Sequence, residues 1–529
     1  MNFLKLKKNF NSTLKDTPES RLVVADAPET VALLPSMTPF VKPRLLVKEK
    51  DKVSIGTPLF EDKRSVSLRY LSPGAGEVIK VKLGPRRVIE EIVIAIDPDE
   101  AMDQHLLNVI SQAASTSQAT STSRAASTSR PASTSRPVSV SQPSSTSRPA
   151  STSRAASISR AASTSQPAST SGGSGAKEGA PTHDNLSPQN IHEIMLAAGM
   201  WQMIRQFPFM DTARHGQAKD EAGEPEFLKF PMIIVSLRPG DMFSPLPSTV
   251  LKGREEDFFQ GLAILGKLSP MVVVAAPSDQ MPHLKKIERS ITHVVGDKWP
   301  CGDPGVILYQ IKKDSSQNRS ATIHPQDLLA LGAFFGRGLY DLHRIYAVGG
   351  RCGDRPCHIR ARLGSPLSLV TGPLPRDHGV VTGSIFTGRH ALPQSHMGFG
   401  EYSAVVVDGG QREHAFGFLV PGETLMSESL TFLSSMNQDP LHFDMNLHGE
   451  ERACINCGVC HHKCPVDLLP QFLMKALGAG EMEEALGMGL LDCTLCGLCS
   501  CVCPSKIELT QIMGQAKEIY LNENIENPV

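Results

Sequence analysis

The first hundred residues alternate apolar and polar positions in short runs. Leu46, Val47, Val53 and Leu59 are spread along LLVKEKDKVSIGTPLF with Gly56 between them, and residues 72–96 give two alternating runs around Gly84-Pro85. Period two puts successive side chains on opposite faces of a strand, so this region predicts short strands and small-residue turns in a sandwich or barrel. Past residue 186 the period lengthens. Ser187-Pro188 is an N-cap and first-turn pair, and Ile191, Ile194, Met195 and Ala198 then share one helical face. A strand at 232–236, a helix at 255–266 (Phe258, Phe259, Leu262, Leu265) and a strand at 271–276 form a βαβ unit, whose right-handed crossover makes the strands parallel. A further helix is expected from Gln326 to about Gly336, then a strand at 344–349. Residues 365–425 return to short strands around a turn at Asp408-Gly409-Gly410. Late in the chain Leu469, Phe472, Leu473, Ala476 and Leu477, then Met482 and Leu486, repeat at helical spacing with a break at 478–480, predicting two short helices.

One stretch carries neither period. From Ser115 to Ser174 the chain is ten copies of a six-residue unit (STSQAT, STSRAA, STSRPA and variants) without aromatic or acidic residues and with six Arg. Such a composition buries too little to offset the entropy of ordering its backbone, so residues 111–180 read as a disordered linker. Its Arg could touch an anionic lipid or an acidic partner surface, but a spacer grown by repeat expansion is the simpler reading. At 529 residues the chain has room for several domains, and its formal net charge of -1 gives no field that would seek nucleic acid. No apolar run reaches membrane-spanning length, so a soluble or peripheral chain is expected.

The strongest chemical signal lies at 453–505, in ACINCGVCHHKCP and DCTLCGLCSCVCPS, each C-x2-C-x2-C-x3-C-P. Three thiolates at this spacing wrap one corner of an iron-sulfur cube, while the fourth ligates the other cube of a two-cluster ferredoxin. This assigns Cys454, Cys457, Cys460 and Cys503 to one [4Fe-4S] cluster, and Cys493, Cys496, Cys499 and Cys464 to the other. Structural zinc uses paired C-x2-C ligands and has no role for a third Cys or the C-P ending. Nine of the twelve cysteines sit here, and no secretory apolar region precedes them, so a reducing compartment is expected rather than disulfides. The intervening helices make this an α-helical ferredoxin domain, 446–529. Cys501, His461 and His462 beside the motifs read as a small packed thiol and surface histidines, and Cys352, Cys357 and His358 as structural groups.

Two further sites can be weighed. The loop after the first βαβ strand, LRPGDMFSPLP, has one Gly and three Pro. Phosphates need consecutive free N–H groups at a helix start and Gly for close approach, so neither an NAD nor an FMN site is recognised here. In GMWQMIRQFPF, Trp201, Arg205, Phe207 and Phe209 could hold a quinone ring and its carbonyl; the same residues also suit an ordinary core with a paired Arg.

The strand order at 1–110 resembles a lipoyl-like barrel-sandwich hybrid, with Asp62-Lys63 the only counterpart of a lipoylated DK, and a solvated turn Lys the simpler reading. Residues 181–360 read as a Rossmann-like α/β domain without a nucleotide loop, and 361–445 resemble a ubiquitin-like β-grasp (SLBB-like) module that presents a face to partners. VALL at 31–34, LFEDK at 59–63, SPGAGEV at 72–78, GMWQMIRQFPF, DLLPQFLMKAL at 467–477 and VCPSK at 502–506 together resemble the A subunit of the sodium-translocating NADH:quinone reductases (Nqr). The cluster motifs resemble the C subunit of the Rnf ferredoxin:NAD oxidoreductases. The resemblance implies a peripheral protein at the cytoplasmic face of the cell membrane, docked on the membrane-embedded B subunit and helping form the quinone site. The best-known Nqr A subunits have lost most cluster cysteines; this sequence keeps two full sets, which implies electron transfer. The alternatives are an Rnf-type protein working between NADH/FMN and ferredoxin, and an assembly module stapled by its clusters.

Overall fold

The computed structural model describes residues 1–10, 14–123, 186–213, 229–351, 356–375, 377–409, 440, 443–445 and 450–526. Residues 124–185, which hold most of the repeat, and 410–439, which hold part of the expected β module, lie outside these.

Near the N-terminus two small antiparallel sheets face each other. One orders Thr30–Leu33, Ile89–Ile96, Gly76–Leu83 and Lys52–Val53; the other orders Pro43–Leu45, Pro58–Asp62 and Ser65–Leu71. Alternation brings Val31 with Leu33 and Ile92 with Ile94 into one core, joined by Val78 and Tyr70; Leu59 and Phe60 both enter it because the pairing shifts register beside them, and Phe60 stacks on Tyr70 at 4.4 Å. Asp62 is buried and accepts from the Lys42 and Arg64 N–H groups, while Lys63 stands exposed on the turn.

The α/β domain is a mainly parallel sheet. Among the described residues its order is Asn2–Leu4, His293–Val295, Val272–Pro277, Ile233–Ser236, Ala321–Ile323, Ile204–Gln206 and Asp211–Thr212, with only the last two pairings antiparallel. Ile233, Ile234 and Val235 are buried on both faces, which explains their continuous apolar run. Helices Glu255–Leu268 and Pro325–Arg337 cover one side, their Phe258, Leu265, Leu328 and Phe334 in one core with Trp201. Helix Pro188–Ala197 is capped by the Ser187 side chain, which accepts from Asn190 N–H.

A second, mixed sheet orders Arg389–Ala391, His378–Thr382, Ser403–Asp408, His343–Gly350, Cys357–Arg362 and Leu22–Val24. Three expectations change here. The strand expected at 344–349 belongs to this sheet and not to the α/β domain, since a strand's pattern does not say which sheet it joins. Residues 2–4 and 22–24 serve as edge strands of the two larger sheets instead of joining the N-terminal sandwich. Finally, helix Gln104–Ser123 runs past the expected linker start, because Leu106, Val109 and Ala113 lie three and four apart and bury against the core.

The C-terminal domain is helical: Val459–Lys463, Pro470–Ala479, Met482–Gly487, Leu498–Cys501 and Leu509–Glu526. Its core is Leu473, Ala476, Ala485, Leu490 and Met513. Among the described residues, no helix is long and apolar enough to cross a membrane.

Candidate metal centre

Each cysteine motif sets the same backbone. Asn456 and Leu495 take φ of 57° and 55°, Gly458 and Gly497 75° and 83°, and Asp467 and Lys506 56° and 56°. Left-handed turns of this kind tip N–H groups toward the preceding sulfurs: Asn456 N–H donates to Cys454 Sγ at 3.4 Å, and Leu495 N–H donates to Cys493 in the same way. Val466 and Leu468 N–H groups serve Cys464, and Leu498 N–H serves Cys496. A left-handed Leu495 costs about 1 kcal/mol or more, and such strain collects at sites that the surroundings dictate.

The thiols fall into two groups. Cys464, Cys493, Cys496 and Cys499, three from the second motif and one from the first, line a single cavity with Val466, Leu468, Leu473, Leu495 and Met513. Cys460 lies in the field of Cys457 and Cys503, and Cys499 in that of Cys493 and Cys464. Cys454, Cys460, Cys499 and Cys503 also pack against Ile507 and Leu509, the apolar partition between the groups. Among the described residues no three His, Cys, Asp or Glu side chains come close enough to hold one metal ion. Four sulfurs arranged around a cavity instead of a point suit a cube of several irons better than one tetrahedral ion.

Burial decides how these thiols behave. It pushes Cys499 up to about 12 and Cys464 up to about 11, and it raises Cys493, Cys496 and Cys460 as well. Burial outweighs the charge of Lys517 at Cys493 and of Lys8 at Cys464, so a metal must displace the protons and bring the charge that offsets four thiolates. Thr494 gives an independent test of fit. Its Oγ1 is shielded from water, has no hydrogen-bond partner, and belongs to a residue lining the cavity. An iron-sulfur cube supplies acceptor sulfurs for it; an apolar ligand would not.

Surroundings differ between the groups. Cys457 is exposed, and Ile455 beside it is 62% exposed. The other set is enclosed from three sides. Trp299, which follows the α/β strand His293–Val295, donates its indole N–H to Cys496 O at 2.9 Å and stacks on Phe386 of the mixed-sheet domain. Phe10 and Phe443 pack edge-on against Phe386. From helix Leu509–Glu526, Lys517 donates to Cys493 O (2.8 Å), Leu491 O (3.4 Å) and Pro208 O (2.7 Å).

Contacts of this kind take up the loops at the carboxyl ends of the parallel strands, where open α/β sheets ordinarily receive a ligand. Arg238 forms a two-pronged pair with Asp279 (3.1 and 3.3 Å) and also donates to Asp297 O, tying three strand ends together. Asp241 accepts from Phe243 N–H, Ile385 N–H and Ser384 Oγ–H.

The four aromatic and basic residues weighed for quinone make separate contacts. Trp201 is 1% exposed, donates to Ala213 O at 2.7 Å and packs on His192 and Phe230. Arg205 bonds Thr212, and Phe207 is buried in the α/β core. Phe209 packs on Tyr520 at 6.2 Å and on Phe40 at 6.3 Å, with Lys517 Nζ 5.8 Å from its ring centre. His358 is fully used, accepting from Leu246 N–H and donating to Glu19 O, and Cys357 is buried beside it; Cys352 lies outside the described residues. His461 donates to Leu468 O, and Cys501 packs half-buried among the aromatics. Trp299, Thr494 and Lys517 were missed by sequence reasoning, because neither spacing nor composition ties them to the thiols.

Comparison with known proteins gives three family matches in chain order: the NqrA N-terminal barrel-sandwich hybrid domain at 4–97, the NqrA second alpha/beta domain at 186–340, and a 4Fe-4S dicluster domain at 450–507. The A subunit of the Na(+)-translocating NADH-quinone reductase of Neisseria meningitidis serogroup B is 24% identical over 98% of this chain and 100% of its own length. Its namesake from Klebsiella pneumoniae is 25% identical over 96% of each chain. A solved NAD+-reducing [NiFe]-hydrogenase aligns with 34% of this chain and 41% of its own at 13% identity and a TM-score of 0.27, too partial a likeness to fix a shared fold. The chain thus carries two NqrA domains in their own order, is similar almost end to end to NqrA relatives, and has in addition a match to a 4Fe-4S dicluster domain.

Proposed function

We propose that the chain is the peripheral A subunit of a membrane-bound, Na+-translocating NADH:quinone oxidoreductase, and that its eight motif thiols hold two [4Fe-4S] clusters for electron transfer. It works there with the membrane-embedded B subunit and the other members of the complex, at the cytoplasmic face. The observation that carries this reading is the cavity walled by Cys464, Cys493, Cys496 and Cys499, since the crossed use of one cysteine from the other motif is what a dicluster domain requires. Such a cube, when bound, takes up and releases one electron at a time. The chain's own residues supply the rest: N–H groups set by left-handed turns hold the sulfurs, and Leu473, Leu495, Leu498 and Met513 keep water away. The half-exposed set around Cys457 is the side from which an electron donor is reached.

The α/β domain is read as Rossmann-like and the mixed sheet as an SLBB-like module. With the strand-end loops engaged in internal contacts, NADH and flavin belong to partner subunits in this reading. Of the four residues considered for quinone, Phe209 is the one that meets Lys517, which bonds Cys493 O, so it is the proposed quinone contact.

Anaerobic preparation with iron and labile-sulfide counting tests the assignment: about eight of each per chain are expected. Zinc in place of iron would end it. Reduction of the clusters by NADH in the assembled complex, but not by NADH with this chain alone, is expected for a protein fed by its partners. Clusters that stay oxidised in the turning-over complex would leave them a purely structural staple.

A further inference from the structure

Lys517 is 2% exposed, and among the described residues it forms no ion pair. Its three donor positions are spent on backbone carbonyls, two of them Leu491 O and Cys493 O at the mouth of the second motif. Of the acidic groups that act on it, Asp492 is paired with Lys312 and Asp303 caps the helix Pro304–Ile311, accepting from Val306 N–H. An ammonium buried without a counter-charge is costly enough that proteins rarely keep one unless an anion sits nearby. Besides those two carboxylates, the anion the chain provides for next to it is the set of thiolates of Cys464, Cys493, Cys496 and Cys499, of which Cys493 offers the carbonyl that Lys517 bonds at 2.8 Å. Thr494, next to Cys493, has its hydroxyl oxygen shielded from water and unpartnered at the same cavity. The matching place in the first motif holds Ile455, which is 62% exposed and has no donor to offer.

Burial among apolar side chains disfavours adding an electron, because the reduced cube carries more negative charge; a nearby cation or a hydrogen bond to sulfur favours it. We propose that Lys517 and Thr494 are the built-in counter-charge and hydrogen-bond donor of the cluster held by Cys464, Cys493, Cys496 and Cys499, raising its reduction potential against the effect of its burial. This rests on the two-cluster reading. Its consequence is an enclosed cube that still accepts electrons from the half-exposed one.

The test is a redox titration of the anaerobically prepared full chain, followed by electron paramagnetic resonance. Loss of signal in Cys457→Ser identifies the half-exposed cluster. Iron content is measured first, so that a chain without about eight irons counts against the underlying reading and not against this inference. Thr494→Val is expected to move only the enclosed cluster to lower potential, and Thr494→Ser to leave it in place. Lys517→Met is expected to produce the larger downward shift and Lys517→Arg to restore most of it. Should Lys517→Met lose iron, the Thr494 pair decides alone. Eight irons with no shift in Thr494→Val, or equal shifts of both clusters, would overturn the proposal.

Discussion

The two thiol sets share a spacing and the same left-handed turns, yet Cys457 is exposed while Cys493 and Cys496 are partly buried and held through their carbonyls by Lys517 and Trp299. Ligation is therefore a local property of each motif, and environment is a property of what packs on it. The half-exposed set is open to exchange electrons with another protein. The enclosed set is bound into the α/β and mixed-sheet domains, so that its chemistry and the docking of the domain depend on one another.

The sharpest way to break this contrast is to remove one ligand from each side. Cys496→Ser is expected to lower iron from about eight to about four per chain and to loosen the C-terminal domain by several kcal/mol. Cys457→Ser should lose a similar amount of iron with little change in unfolding. Iron analysis with urea melts checks both, and equal destabilisation would erase the distinction.

Next in size is the glycine pair. Gly458 and Gly497 both have positive φ, but a Cβ at Gly458 meets nothing, whereas at Gly497 it would lie 2.6 Å from Phe386 O. Gly458→Ala should cost about 1 kcal/mol, the price of the left-handed turn alone. Gly497→Ala adds an overlap with backbone that cannot swing aside, for a total of roughly 3 kcal/mol, read from the same melts.

A control that touches neither set is Asp341. Burial raises its carboxyl, but the hydrogen bond from His343 and the charge of Arg254, 2.8 Å away, outweigh that and hold it far below the usual carboxylate range. A depressed folded value means that the stability is present above the unfolded value, about pH 4, and lost as pH falls through the folded one. Asp341→Asn should lose about 2 kcal/mol near neutral pH and flatten the acid limb of the urea-melt profile, without changing iron content.

The smallest effect sharpens the contrast most selectively. Trp299→Phe keeps a ring to stack on Phe386 but removes the bond to Cys496 O, worth about 1 kcal/mol. The enclosed cluster should release iron to a chelator faster, while release from the half-exposed one stays unchanged.

Much of this was legible before any coordinates. The C-x2-C-x2-C-x3-C-P spacing announces itself because ligands to one cube must lie a few residues apart, and the sandwich and the βαβ unit follow from period two and period 3.6. Strand membership was not legible: residues 344–349 carry a strand pattern that fits either large sheet, and residues 2–4 and 22–24 are three-residue, mostly exposed edges too short to show an alternation. The aromatic stretch 201–209 looks like one feature in the chain but serves three places, because successive side chains leave the backbone in different directions. Lys517 and Thr494 gave no signal, since a lysine in an amphipathic helix and a threonine between cysteines are ordinary by composition.

What the sequence determined by itself was the local chemistry: eight thiols in two repeated motifs, the turn residues at Gly458 and Gly497, and the helical and strand periods around them. What only the tertiary structure decided was how far each of those thiols meets water and which charges face them. Ligand spacing is written along the backbone within a dozen residues, whereas the enclosure comes from Trp299 and Phe386, which reach the second motif only when chain closure brings together segments far apart in sequence.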